Sequence, residues 1–185
     1  MFRKAFLLSL IVGCSVFSLF GQEATPAQTE VADITMLDTN KTSTMQKELQ
    51  AAADQGYRLL PNQGTWLLSA MLERKKEAVE PIEYLLLATS KSSTMQKEMN
   101  QASAEGYRFA SMLGQGAEVI VAMARPKGAT KPTHELKLLA TVRFGTMKKE
   151  FTAEIAKGYR YVGQTYFQNW LGQVEYVAIM ERPAK

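Results

Sequence analysis

One heptapeptide, written three times, limits what this chain can become. Ser43-Thr44-Met45-Gln46-Lys47-Glu48-Leu49 returns as Ser93-Thr94-Met95-Gln96-Lys97-Glu98-Met99 and, more loosely, as Gly145-Thr146-Met147-Lys148-Lys149-Glu150-Phe151. Twelve residues after each threonine comes Gly56-Tyr57-Arg58, Gly106-Tyr107-Arg108 or Gly158-Tyr159-Arg160. Five residues before each threonine stands another, Thr39, Thr89 or Thr141. Successive copies start about 50 and then about 52 residues apart. A fixed period of this length marks a supersecondary unit repeated in tandem.

Each copy reads as βαββ. An apolar run, Ile34 to Thr39, Tyr84 to Thr89 or Leu136 to Thr141, has strand length and no helix signals. A polar stretch then offers Ser43 or Thr44, and Ser93 or Thr94, as helix caps, with Gln46 and Gln96 placed for a capping box. Met45, Leu49, Ala52 and Ala53 make one apolar stripe; Met95, Met99 and Ala102, then Met147, Phe151 and Ile155, repeat it. The glycine ends the helix, because the residue past a helix end commonly needs positive φ. Tyr57 to Leu60, Tyr107 to Leu113 and Tyr159 to Phe167 follow as second strands. Turns at Pro61-Asn62-Gln63-Gly64 and Gly114-Gln115-Gly116 lead to Trp66 to Arg74 and Glu118 to Arg125, and the third copy ends in Val174 to Arg182. The expected class is α+β: three tandem βαββ repeats at 33–77, 82–125 and 134–183, antiparallel sheets with one helix per repeat on one face. Units of this size bury too little apolar surface to stand alone, so the three are expected to share a core, as a pseudo-threefold or continuous sheet with helices outside.

The first 32 residues are different in kind. Arg3 and Lys4 precede an uncharged apolar run from Ala5 to Phe20, which polar Gly21, Gln22 and Glu23 terminate. At about 16 residues the run is short for a membrane span, and residues 1–21 read as a signal peptide, with 22–32 a linker. Ile11-Val12-Gly13-Cys14 also fits a lipobox, which makes lipidation at Cys14 the alternative. Either reading places the protein outside the cytoplasm, periplasmic or secreted, with no membrane span after processing.

These residues together resemble the bacterial domain of unknown function 4177. The resemblance rests on the first strand, the helix with Leu49-Gln50 or Met99-Asn100, the Gly-Tyr-Arg tripeptides followed by Leu59 or Phe109, and last strands ending in Glu73-Arg74 or Glu181-Arg182. It covers nearly all of residues 34 to 182 and implies small βαββ modules. That family typically has Trp after the glycine and often an acid next, where this chain has Tyr and Arg. The resemblance implies no activity.

Chemistry-bearing sets are sparse. Cys14, the one cysteine, leaves with the leader unless it is lipidated, and His134 is the one histidine, so no Cys/His metal cluster, disulfide or thiol nucleophile is expected, and no cofactor. No phosphate loop or nucleophile elbow occurs. Removing the leader takes away two cations and no acid, reducing a formal charge of +4 to about +2 and leaving no case for nucleic acid. Ten methionines invite copper, but Met45, Met95 and Met147 stand at helix core positions. Glu48, Glu98 and Glu150 would make a carboxylate site only if two met in space.

Two candidate surfaces follow. Arg58, Arg108 and Arg160, opposite their tyrosines in a strand, could line a shared face that binds an anion. The spacing from Arg160 to Arg182 is 22 residues, against 16 and 17 in the first two copies, and the added chain holds Tyr166, Phe167, Asn169 and Trp170. Aromatics there could contact a protein, glycan or peptide, or cap the array. The expected function is a non-catalytic binding or structural module of the cell envelope; the alternative is a hydrolase-like enzyme with a site between repeats.

Overall fold

The computed structural model describes residues 33–61, 68–74, 80–115, 118–168 and 172–184. The leader, the proposed linker, Cys14, Asn169 and Trp170 lie outside them. The elements run β1 (Ile34–Asp38), α1 (Thr42–Asp54), β2 (Tyr57–Leu59), β3 (Ser69–Arg74); β4 (Ile82–Thr89), α2 (Ser92–Ala104), β5 (Arg108–Gln115), β6 (Val119–Pro126); β7 (His134–Thr141), α3 (Phe144–Ala156), β8 (Arg160–Gln168), β9 (Val174–Pro183). The fold is α+β, three βαββ units in tandem, each with one antiparallel sheet and one helix. Within each sheet the last strand is central, in the orders β1-β3-β2, β4-β6-β5 and β7-β9-β8.

The recurring threonine and glycine are local punctuation. Thr39, Thr89 and Thr141 each accept a bond on Oγ1 from the backbone N–H two residues on, at 3.3, 3.3 and 3.1 Å, which turns the chain from strand into helix. Gly56, Gly106 and Gly158 have φ of 88°, 91° and 86°, the left-handed geometry that ends each helix. The expected capping boxes do not form: Lys41, Lys91 and Arg143 stand at the helix entrances, with no side-chain cap. Gly114 and Gln115 belong to β5 rather than to a turn.

The glutamines serve a different end. Gln46 donates through Nε2 to the Tyr84 carbonyl at 2.8 Å and accepts through Oε1 from Leu86 N–H at 2.7 Å. Gln50 does the same one turn later, with the Ile82 carbonyl at 3.0 Å and Tyr84 N–H at 3.0 Å. Strand β4 is a sheet edge, and α1 of the preceding unit satisfies its outward backbone groups. In the next joint Gln96 binds Leu138 N–H at 2.6 Å and the Leu136 carbonyl at 3.4 Å, and Ser103 Oγ donates to the His134 carbonyl. Tyr84 returns the favour by accepting from Leu59 N–H on the outer edge of β2, at 2.9 Å.

These edge contacts set the stacking. Of the two expected arrangements the continuous sheet does not form: the three sheets are separate, with α1 packed along β4 and α2 along β7. Strand β6 lies between two cores: Val119, Val121 and Met123 join α2 and unit three, whereas Ile120 and Ala122 join α1 and unit one. Sheet two thus offers its helix face to unit three and its back face to unit one. The alternation of period two on β6, apolar on both sides, follows from that position.

Gln46→Leu is expected to cost about 1–3 kcal/mol, because it strands a covered N–H and a covered carbonyl on β4. Melting should fall by roughly 2–4 °C per kcal/mol. Amide exchange should accelerate at Leu86; unchanged protection there would mean that the side-chain bonds are not what satisfies the edge.

Candidate functional site

The repeated Gly-Tyr-Arg and terminal arginine resolve into one motif. Arg74, Arg125 and Arg182 lie over the rings of Tyr57, Tyr107 and Tyr159, with guanidinium carbons 4.6, 4.3 and 4.6 Å from the centroids. Each arginine also pairs with an acid at the start of its unit: Asp33 at 3.2 Å, Glu83 at 2.8 Å, and Glu135, whose Oε2 accepts from Arg182 Nε at 2.8 Å. Stacking plus ion pair clamps the last strand across the other two in every copy. Burial raises the pKa of Tyr107 and Tyr159, against a smaller lowering by the arginine above each.

The second set of arginines is not gathered on one open face. Arg58 donates to the carbonyls of Ala53, Tyr57 and Glu80. Arg108 and Arg160 do converge, but on a carboxylate of the protein: Glu181 Oε1 accepts from Arg108 at 2.7 Å and from Arg160. Ala124 occupies in unit two the position that Glu181 holds in unit three, so Arg108 reaches across the joint for its anion. Burial alone would raise the Glu181 pKa, yet the bonds from Arg108 and Arg160 outweigh it and hold the carboxyl below its ordinary 4.5.

His134 stands near this cluster, at a polar recess of about 520 Å³ shared with Asn100, Ser103, Glu135 and Tyr159. Burial and the Arg108 charge lower its pKa, and its Nδ1 is 3.0 Å from the Thr133 hydroxyl. The carboxylates beside the recess are already engaged, Glu135 by Arg182 and Glu181 by two arginines. Among the described residues no three His, Cys, Asp or Glu side chains come together to hold a metal. Met45, Met95, Met99, Met123 and Met180 are fully buried core residues.

The long third hairpin divides its aromatics. Tyr166 and Phe167 are not tip residues; both lie within the β8–β9 ladder, paired with Tyr176 and Glu175. Phe167 is 3% exposed and fills the core between units two and three with Met95, Met99 and Ile179, so it presents no contact surface. Tyr166 faces the other way, into an open cleft of about 1200 Å³ between α3 and the helix face of sheet three. Phe144, Phe151, Ile155, Tyr161 and Tyr176 line that cleft with it, and the Phe151 and Tyr161 rings tilt against each other at 6.0 Å.

The sequence reading missed this cleft except at Tyr166. A signal was present, because Phe144 and Ile155 hold helix positions that are Ser92 and Ser103 in unit two, and Thr42 and Ala53 in unit one. Ala53 and Ser103 are buried at their joints, whereas Phe144 and Ile155 are exposed. Beneath α3, Glu154 replaces Ala52 and Ala102 and binds Lys137 at 2.6 Å and Lys157 at 2.8 Å, which lower its pKa. Compared with protein-family models, curated proteins and solved structures, the chain matches none.

Because the folded carboxyl of Glu181 titrates below its ordinary value, its stabilisation is complete above pH 4.5 and drains away as pH falls through the lower, folded value. Thermal melts from pH 7 to 3 should show that loss in the parent. Glu181→Gln should start about 1–2 kcal/mol lower at pH 7 and lose less on acidification; parallel curves would assign the acid sensitivity to other groups.

Proposed function

We propose that this chain is an exported, non-catalytic repeat module of the bacterial cell envelope, and that it binds a partner through the cleft of its third unit. The observation that carries this reading is the cleft itself. Among the described residues, a helix face buried by the following sheet in units one and two is open in unit three, and its lining is mostly aromatic and apolar. Tyr161, Tyr166 and Tyr176 combine flat apolar bodies with hydroxyl tips, the contact chemistry suited to a protein, peptide or glycan. The apolar leader with Arg3 and Lys4 supports export, and the resemblance to the domain of unknown function 4177 is in keeping with small βαββ modules.

The test is a pull-down from envelope extract with the chain as bait. Tyr161→Ser with Tyr176→Ser should leave the melting temperature within about 2 °C, because both side chains are already half in water. Capture should be lost. Phe167→Ser, which opens a cavity in the core, should instead cost about 3–5 kcal/mol of stability. Retained capture by the double tyrosine variant would remove the cleft as the binding surface.

A further inference from the structure

We propose that the cleft of unit three accepts the back face of unit one from a second copy of this chain, continuing head to tail the stacking that joins the units within one molecule. The inference rests on the reading of the cleft as a binding surface and names its occupant.

The internal joints define the geometry twice. At both, the back face of one sheet, carried by the first strand and the central strand, docks on the helix face of the unit before it. The buried first-strand anchor is Tyr84 in one joint and Leu136 in the other, at 6% and 5% exposure. The corresponding residue of unit one is Ile34, 53% exposed. On the central strands Ala122 and Ile179 are fully buried, while their counterpart Met71 is 43% exposed. Unit one therefore carries the apolar docking face of its siblings with its anchors exposed, and Met36 lies beside them at the position of Leu86 and Leu138.

The opposite end matches. Tyr176 takes the place of Val119, which is 3% exposed in its joint, and is itself 48% exposed. Ile155 replaces Ser103 and is half exposed. The two ends also differ from the internal joints in complementary ways. Where α1 and α2 present Gln46 and Gln96 to the next strand, α3 presents Lys148, a cation. Where β4 and β7 carry Ala88 and Ala140 on the docking face, β1 carries Asp38, an acid. Neither side chain has an ion pair among the described residues. A joint between copies thus exchanges the amide bonds of the internal joints for a charge pair on the same two elements. Such a contact uses different surfaces on the two partners and so adds copies in one direction rather than closing on a two-fold axis.

Sedimentation velocity over a concentration series tests this. The parent should grow in mass with concentration, beyond a dimer. Met36→Lys and Tyr176→Lys, each at an exposed position, should be monomeric alone and form only a dimer when mixed, because each retains one intact end. Lys148→Glu should weaken association by roughly three- to tenfold, Asp38→Lys likewise, and the double variant should recover it. A parent that stays monomeric at millimolar concentration, or a charge swap that recovers nothing, would overturn the proposal. If the cleft then still captures an envelope component, self-docking alone has failed; if Tyr161→Ser with Tyr176→Ser alters neither capture nor mass, the binding reading falls with it.

Discussion

The structure depends on how two sheet edges are closed. A three-stranded sheet has unpaired N–H and C=O groups along both outer strands, and such edges invite further pairing. In this chain the edges of β4 and β7 are occupied not by another strand but by side chains of the helix one unit upstream, through Gln46, Gln50, Gln96 and Ser103. A glutamine amide has one donor end and one acceptor, spaced to meet a carbonyl and an N–H on the same strand edge. The same helices bring Met45, Leu49, Met95 and Met99 onto their own sheets. Polar edge closure and apolar burial are thereby assigned to different sides of one helix, and the units stack instead of merging into one sheet.

The repetition explains which residues are structural. Threonine at the strand-to-helix turn, glycine at the helix end, and the tyrosine, arginine and acid clamp recur because every unit has the same local problems to solve. The departures from repetition fall at the joints and the ends. Glu181 answers an arginine from the neighbouring unit, and Gly163 lies so close to the Phe109 ring that an added Cβ would come within 2.6 Å of it. Glycine is required there by a close approach between units rather than by its backbone angle.

Much of the fold was legible because short-range patterns decide it. Strand runs, the helix stripe and the positive-φ glycines depend on neighbours within a turn or two, and all three repeats agreed on them. The role of Gln46 was not legible, because a glutamine three residues after a serine is equally compatible with a capping box, and only the position of β4 decides between them. Phe167 was misread for a related reason. An aromatic in added chain looks like a tip, but the extra residues lengthen β8 and β9 and carry it into the core between units. Tyr166, its neighbour, faces the cleft instead, since adjacent strand residues face opposite sides.

The closure of each edge by the helix before it also gives the chain a direction in time. Gln46 and Gln50 leave the ribosome more than thirty residues ahead of the backbone groups they bind on β4, and Gln96 likewise precedes β7. Units one and two therefore complete their helix faces only with the first strand of their successors. Folding of units one and two is thus coupled forward along the chain: what closes each of them is encoded in the unit that follows.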